Sequence, residues 1–170
     1  VIRKLVMKWL AQAIINPHAH IDPILGVNAL IEKFAIPFGL HEKELPMLNN
    51  ALGAAMLWGF DIQAPAQPTF FITENASLQL GNDTIEVRFT PGHSPGSISF
   101  YYPEGNWLIG GDVLFQGSIG RTDLPGGNFD TLTHSIHSQL LTLPDNVTVY
   151  PGHGPATTIG RERMYNPFLQ

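Results

Sequence analysis

The sequence predicts a layered α/β domain. Three observations carry that prediction. Strand-like and helix-like apolar patterns alternate along the chain, the composition is that of a packed globular protein, and four apolar runs end in potential metal ligands. The 170 residues favour one domain, 1–170, with a single sizeable core. Hydrophobic residues make up 44% and charged residues only 14%, which excludes a disordered chain. The formal net charge of -5 argues against nucleic-acid or anionic-membrane binding and leaves a small-molecule substrate as the expected partner. The absence of cysteine excludes disulfides, cysteine–zinc sites and a thiol nucleophile. No stretch approaches the ~20 apolar residues of a membrane-spanning helix. Val1-Ile2-Arg3-Lys4-Leu5-Val6 is too short and too charged for a clear signal peptide, so a cytoplasmic location is the expectation.

The elements follow in order. Residues 1–9 read as a short helix or the end of one, and Ala11–Ile15 as a short buried strand. Pro23 to about Phe34 has helical spacing, with Ile24, Val27, Leu30, Ile31 and Phe34 on one face. Asp22 and Pro23 suit its start, because aspartate caps a helix and proline fits the first turn. His41–Leu57 reads as a second helix. Ser77–Leu80 and Thr84–Thr90 flank Gly81-Asn82-Asp83 as a hairpin, and Ser97–Tyr102 and Trp107–Ile109 flank Pro103-Glu104-Gly105-Asn106 as another. Phe129–Leu141 looks helical, Val147–Tyr150 is a short buried strand, and Thr157–Gln170 adds about one helical turn.

The chemistry-bearing residues sit where the strand-like runs stop. Ala11–Ile15 leads to His18 and His20, Thr84–Thr90 to Pro91-Gly92-His93, Trp107–Ile109 to Gly110-Gly111-Asp112, and Val147–Tyr150 to Pro151-Gly152-His153. In layered α/β folds, sites gather in the loops that leave strand ends. Imidazole and carboxylate are good ligands for zinc. His18 and His20 are two apart, so an extended backbone points both the same way. Glycines beside His93, Asp112 and His153 allow tight turns near an ion. Each feature has an ordinary explanation alone: a lone His-x-His is common, Asp22 serves equally as a helix cap, and Gly-Asp is a frequent turn. Their joint occurrence favours a metal site. His41, His134 and His137 lack the pattern and read as surface or packing residues, and Arg121 with Asp123 reads as a structural ion pair.

These residues resemble the metallo-β-lactamase superfamily, in particular its glyoxalase II-like (hydroxyacylglutathione hydrolase-like) branch. The matching stretches are His18-Ala19-His20-Ile21-Asp22, Thr90-Pro91-Gly92-His93-Ser94-Pro95-Gly96-Ser97, Gly111-Asp112-Val113-Leu114-Phe115, Gly117-Ser118-Ile119-Gly120-Arg121-Thr122-Asp123 and Tyr150-Pro151-Gly152-His153-Gly154. The resemblance runs from about residue 10 to the C-terminus. It implies a four-layer αββα sandwich and a binuclear metal site, usually of Zn2+. By position it implies that His18, His20 and His93 hold a first metal, that Asp112 bridges, and that Asp22 and His153 hold a second. A metal-bound hydroxide would attack a carbonyl, often that of a thioester, with Asp22 able to orient the water and Asp112 between the metals.

Three departures from the family pattern bear on activity. Pro23 stands where the family's His-x-His-x-Asp-His motif has its last histidine. Proline offers no ligand atom, so the second site is expected to bind more weakly. Pro17 replaces the usual threonine and removes a backbone donor, so the loop bracketed by Pro17 and Pro23 is expected to be rigid or displaced. The chain also looks short at its N-terminus relative to the family, with the first strands apparently missing. The expectation is a fragment, or a homo-oligomer that covers the gap. Two alternatives to a metallo-hydrolase stand beside it: a mononuclear Fe2+ oxygenase similar to persulfide dioxygenases, using His18, His93 and Asp112, or a catalytically impaired metal-binding relic.

Overall fold

The computed structural model describes residues 11–170 apart from Trp58 and Phe60, so the helix expected over residues 1–9 lies outside it. The chain enters through β1 (Ile14–Ile15), α1 (Ile21–Ile24), α2 (Val27–Phe34) and β2 (Phe38–Leu40). A 3-10 turn at Glu42–Glu44 leads into α3 (Leu45–Leu57), and β3 (Phe70–Phe71) follows. The second half contains β4 (Ser77–Leu80), β5 (Asp83–Phe89), β6 (Ile98–Tyr102), β7 (Trp107–Gly111), β8 (Leu114–Phe115) and β9 (Ser118–Ile119). It closes with α4 (Phe129–Ser135), β10 (Thr148–Pro151), β11 (Thr157–Thr158) and α5 (Ile159–Tyr165).

Among the described residues, β1, β2 and β3 form one parallel sheet, and a six-stranded sheet runs in the order β11-β10-β7-β6-β5-β4. Period-two alternation separates the two faces of the larger sheet. In β6, Phe100 packs with Ile72, Val87 and Ile98, whereas Tyr101 packs with Leu108, Leu132 and Val149. Ile15 and Phe70 of the small sheet pack on the former cluster, which therefore lies between the sheets. Helices α4 and α5 cover the other face through Leu132 and Ile159. On the far side of the small sheet, Ile24, Val27 and Leu48 pack on Phe38 and Leu40. Helix, sheet, sheet and helix thus alternate with three apolar layers, the αββα sandwich that the resemblance implied.

The hairpins, the helix over Phe129–Leu141 and the strand near Val147–Tyr150 form close to where the sequence places them. Leu80 pairs with Asp83, so the first hairpin turns on Gly81-Asn82 alone. Helix α4 is capped by the Asn128 side chain and continues as a π-helical turn at Ile136–Leu140. Other expectations change. The Ala11–Ile15 strand shrinks to Ile14–Ile15, because only these residues pair with β2. The helix expected from Pro23 breaks at Leu25–Gly26, glycine being a weak helix former. Its apolar residues then form no continuous stripe: Ile24 and Val27 are buried, whereas Leu30 and Phe34 are exposed. Asp22 is not the cap. His20 holds that position, without a side-chain cap bond, and Asp22 lies inside the first turn. The C-terminal segment builds α5 of seven residues instead of a single turn.

Candidate metal centre

Strand direction brings the site together. β5 and β7 are both antiparallel to β6, and β10 is parallel to β7. The three strands β5, β7 and β10 therefore end at one edge of the sheet, where their loops carry His93, Asp112 and His153. The facing sheet delivers His18 and His20 in the turn that follows β1, and Asp22 in the first turn of α1.

The turn after β1 is pinned despite its prolines. Asn16 donates its backbone N–H to the Gly39 carbonyl at 3.1 Å, and the Pro17 carbonyl accepts from the Ile98 N–H at 2.9 Å. The buried Asn16 amide donates to the Pro23 carbonyl at 3.0 Å. Both prolines take part through their carbonyl oxygens, which the missing N–H leaves intact. The loop after β5 is held from two sides: the Asn128 N–H donates to the Gly92 carbonyl and the Ser135 hydroxyl to the Pro91 carbonyl, both at 2.8 Å. Gly92 has φ 127°, and a Cβ there would run into the Leu132 backbone, so only glycine fits. Gly152 is needed for room: a Cβ would collide with Asp112 Oδ1.

One residue that sequence reasoning missed joins these two loops. Glu44, fully buried, accepts from the Ala19 N–H at 2.7 Å through Oε2. Its Oε1 accepts from the Ser94 hydroxyl at 2.7 Å and the Gly96 N–H at 2.6 Å. The carboxylate thereby clamps the His18–His20 turn to the loop bearing His93. No local signal could have revealed it, since the partners lie 25 to 52 residues away along the chain.

The three imidazoles of His18, His20 and His93 meet edge to face, with ring centroids 5.0, 5.0 and 4.5 Å apart. The Nε2 atom of each is buried without a hydrogen-bond partner, and so is Asp112 Oδ1. His93 donates from Nδ1 to the Arg121 carbonyl at 2.9 Å, which fixes the tautomer and leaves an Nε2 lone pair aimed into the cluster. Such a convergence of unsatisfied acceptors is unfavourable unless a cation or donor enters it. The donor set therefore fits a metal ion.

Asp112 stands between this cluster and a second one. Its Oδ2 lies 3.9 Å from His18 Nε2, 3.8 Å from His93 Nε2 and 3.4 Å from His153 Nε2. His153 Nε2 is also 3.1 Å from Asp22 Oδ2. Within each group, His18–His20–His93 and Asp22–Asp112–His153, one ligand atom per residue lies within 4.8 Å of the others. The first group is largely buried. In the second, the His153 and Asp22 side chains are 60% and 53% exposed. Pro23, half-buried in α1, adds no ligand atom. His134 and His137 are exposed on α4 and the π-helical turn, and Arg121 pairs bidentately with Asp123.

Burial, and then the neighbouring His93, His20 and His153, lower the pKa of His18 to about 2. Burial and then His93 lower that of His20 to about 4. Asp112 is shifted upward, chiefly by burial. The unfolded chain therefore binds protons to these two imidazoles below the ordinary value of 6.5, while the fold resists them. The metal-free protein is expected to keep this contribution above pH 6.5 and to lose stability progressively as the pH falls toward about 4. Asp112, shifted upward by burial, acts in the opposite sense. Melting temperatures of chelator-stripped protein across this range check the prediction, and an unchanged midpoint would contradict it.

The chain belongs to the metallo-β-lactamase superfamily, whose family model matches residues 12–153. Within that superfamily it falls in the glyoxalase II-like branch of metallo-hydrolases. It is 48% identical over 160 residues to the probable metallo-hydrolase YqgX of Bacillus subtilis (strain 168), covering 92% of this chain and 75% of that protein. It is 38% identical over 154 residues to hydroxyacylglutathione hydrolase GloC of Haemophilus influenzae, covering 89% and 73% respectively. The crystal structure of TTHA1623 in a di-iron-bound form is 43% identical, with a TM-score of 0.85, over 92% of this chain and 77% of that one. No described helix is long and apolar enough to cross a membrane.

Proposed function

We propose that this chain is a metal-dependent hydrolase of thioesters or related acyl substrates, with water as the nucleophile. The observation that carries the reading is the convergence of three buried, unpartnered Nε2 atoms beside Asp112. In this reading His18, His20 and His93 hold one ion, Asp22 and His153 hold a second, and Asp112 lies between them. Zinc is the ion proposed, and the similar di-iron structure favours iron as the alternative. A bound ion of this kind lowers the pKa of water to about 7 and polarises a carbonyl oxygen.

The chain's own residues supply the rest. The His93–Arg121 hydrogen bond and the Glu44 clamp hold the imidazoles in place without further reorganisation. Asp22 faces the cavity and His153, where its carboxylate orients the attacking water and accepts its proton. The acyl carbon gains a C–O bond from water as its C–S bond breaks. Asp22 passes the proton it took from water to the sulfur, which leaves as a thiol, and the product acid releases water's other proton as it ionises.

The second group is expected to bind its ion less tightly, since it is open to solvent and Pro23 adds no fourth protein ligand. After mild chelator dialysis, elemental analysis should find about one ion per chain. Two retained ions would contradict the weak second site. A well-folded protein that retains none and hydrolyses no thioester would sink the hydrolase reading and support a non-catalytic relic. Iron with oxygen uptake on a persulfide would select the dioxygenase reading instead.

A further inference from the structure

Charge in the cavity beside the metal cluster is confined to one end. The cavity measures about 810 Å³, toward the larger end of small-molecule sites. One wall is a face of α3, built from Met47, Ala51, Ala54 and Leu57 at helical spacing. Gly53 adds no bulk, and a Cβ there would meet nothing within 4 Å, so the space over this wall is open. Phe115, Leu124 and Pro125 line the other side. Leu57, at the open end of this wall, is 87% exposed.

Among the described residues of this wall Asn50 alone is polar, and the other polar groups lie elsewhere. Asp22, Asp112 and the histidines stand at the cluster end. Arg121 is the one Lys or Arg among the described lining residues, and its guanidinium is already engaged by Asp123 through bonds of 2.8 and 2.7 Å. A glutathione conjugate carries carboxylates at both of its ends. Along these walls they would lose water and find only the Asn50 amide and an arginine already paired with Asp123, which is unfavourable. An alkyl chain would instead gain about fourfold in affinity for each methylene buried.

We propose that the substrate is a thioester bearing an extended apolar acyl chain, laid along α3 and opposite Leu124 and Pro125, in preference to a glutathione thioester. This rests on the thioesterase reading above. The bond changes are the same: water's oxygen joins the acyl carbon, the thiol leaves with a proton, and a long-chain carboxylate is released.

The test uses metal-loaded protein and N-acetylcysteamine thioesters from acetyl to octanoyl, with S-lactoylglutathione beside them. kcat/KM is expected to rise about fourfold per methylene over the first several carbons and to exceed that for S-lactoylglutathione by the hexanoyl ester. Leu57→Glu, at an exposed position that tolerates charge, should flatten this slope. A flat chain-length profile, or a preference for S-lactoylglutathione, overturns the proposal and leaves the hydrolase reading intact. Binding of the inert thioethers S-octyl-N-acetylcysteamine and S-octylglutathione, followed by titration calorimetry, separates the two ideas. Preference for the former without any thioester turnover keeps this proposal's apolar subsite and removes the hydrolase reading. Absence of both turnover and binding removes both.

Discussion

Replacing His93 or Asp112 by alanine is expected to abolish metal retention in the buried group and to reduce thioester turnover by ~10³-fold or more, the several kcal/mol that a Lewis-acidic ion contributes to the transition state. His93 supplies one of three buried Nε2 atoms, and its loss leaves the His18 and His20 lone pairs without a third partner. Asp112 belongs to one cluster and lies beside the other, 3.4 Å from His153 and 3.8 Å from His93, so its loss acts on both at once. The fold should survive. His93→Ala removes a buried acceptor that has no partner in the metal-free protein, and forfeits the bond to the Arg121 carbonyl, worth ~1 kcal/mol, together with the edge contacts to His18 and His20. Melting curves of the metal-free variants, elemental analysis and thioester turnover together check this. Undiminished turnover in either variant would refute the assigned roles.

The second large effect is expected at Glu44. In Glu44→Gln one oxygen becomes an NH2 group, which must face either the Ala19 N–H or the donors at Ser94 and Gly96. At least one buried donor then loses its acceptor and meets another donor, at a cost of ~1–3 kcal/mol per group. The geometric consequence matters more. With the clamp released, the turn carrying His18 and His20 is free to drift from the loop carrying His93, and metal affinity is expected to fall ~10–100-fold, as for other groups that orient metal ligands. Glu44→Asp keeps the charge but is too short to reach both loops, so it should not rescue. Chelator competition measures the affinity and thermal melts measure the stability. A destabilised Glu44→Gln protein with unchanged metal affinity would reduce Glu44 to a purely structural role.

Much of the fold was legible in the sequence because its signals are local. The β4–β5 and β6–β7 hairpins announce themselves by alternation around turn residues, and the helix at Phe129 by its helical pattern. Strands β2, β3, β8, β9 and β11 were missed. Each has only two or three residues, too few to show a period, and each exists because a partner elsewhere accepts its hydrogen bonds. The break at Gly26 also escaped the pattern, because a single glycine weakens a helix without dictating which way the two halves turn.

The same division holds at the site. Chain order alone marked His18, His20, His93, Asp112 and His153, since each stands just beyond a strand-like run, and the resemblance added Asp22. The resemblance of those stretches to a family then implied how they group. Residue types and their positions along the chain were therefore determined by the sequence. Tertiary structure decided that Asp22 turns its carboxylate to His153 instead of capping a helix, that Glu44 clamps two loops, and that α3 lays an apolar wall beside the cluster. Hydrogen bonding and metal coordination require atoms within about 3 Å of one another. For groups 25 to 52 residues apart in the chain, only the crossing of strands and helices sets that distance.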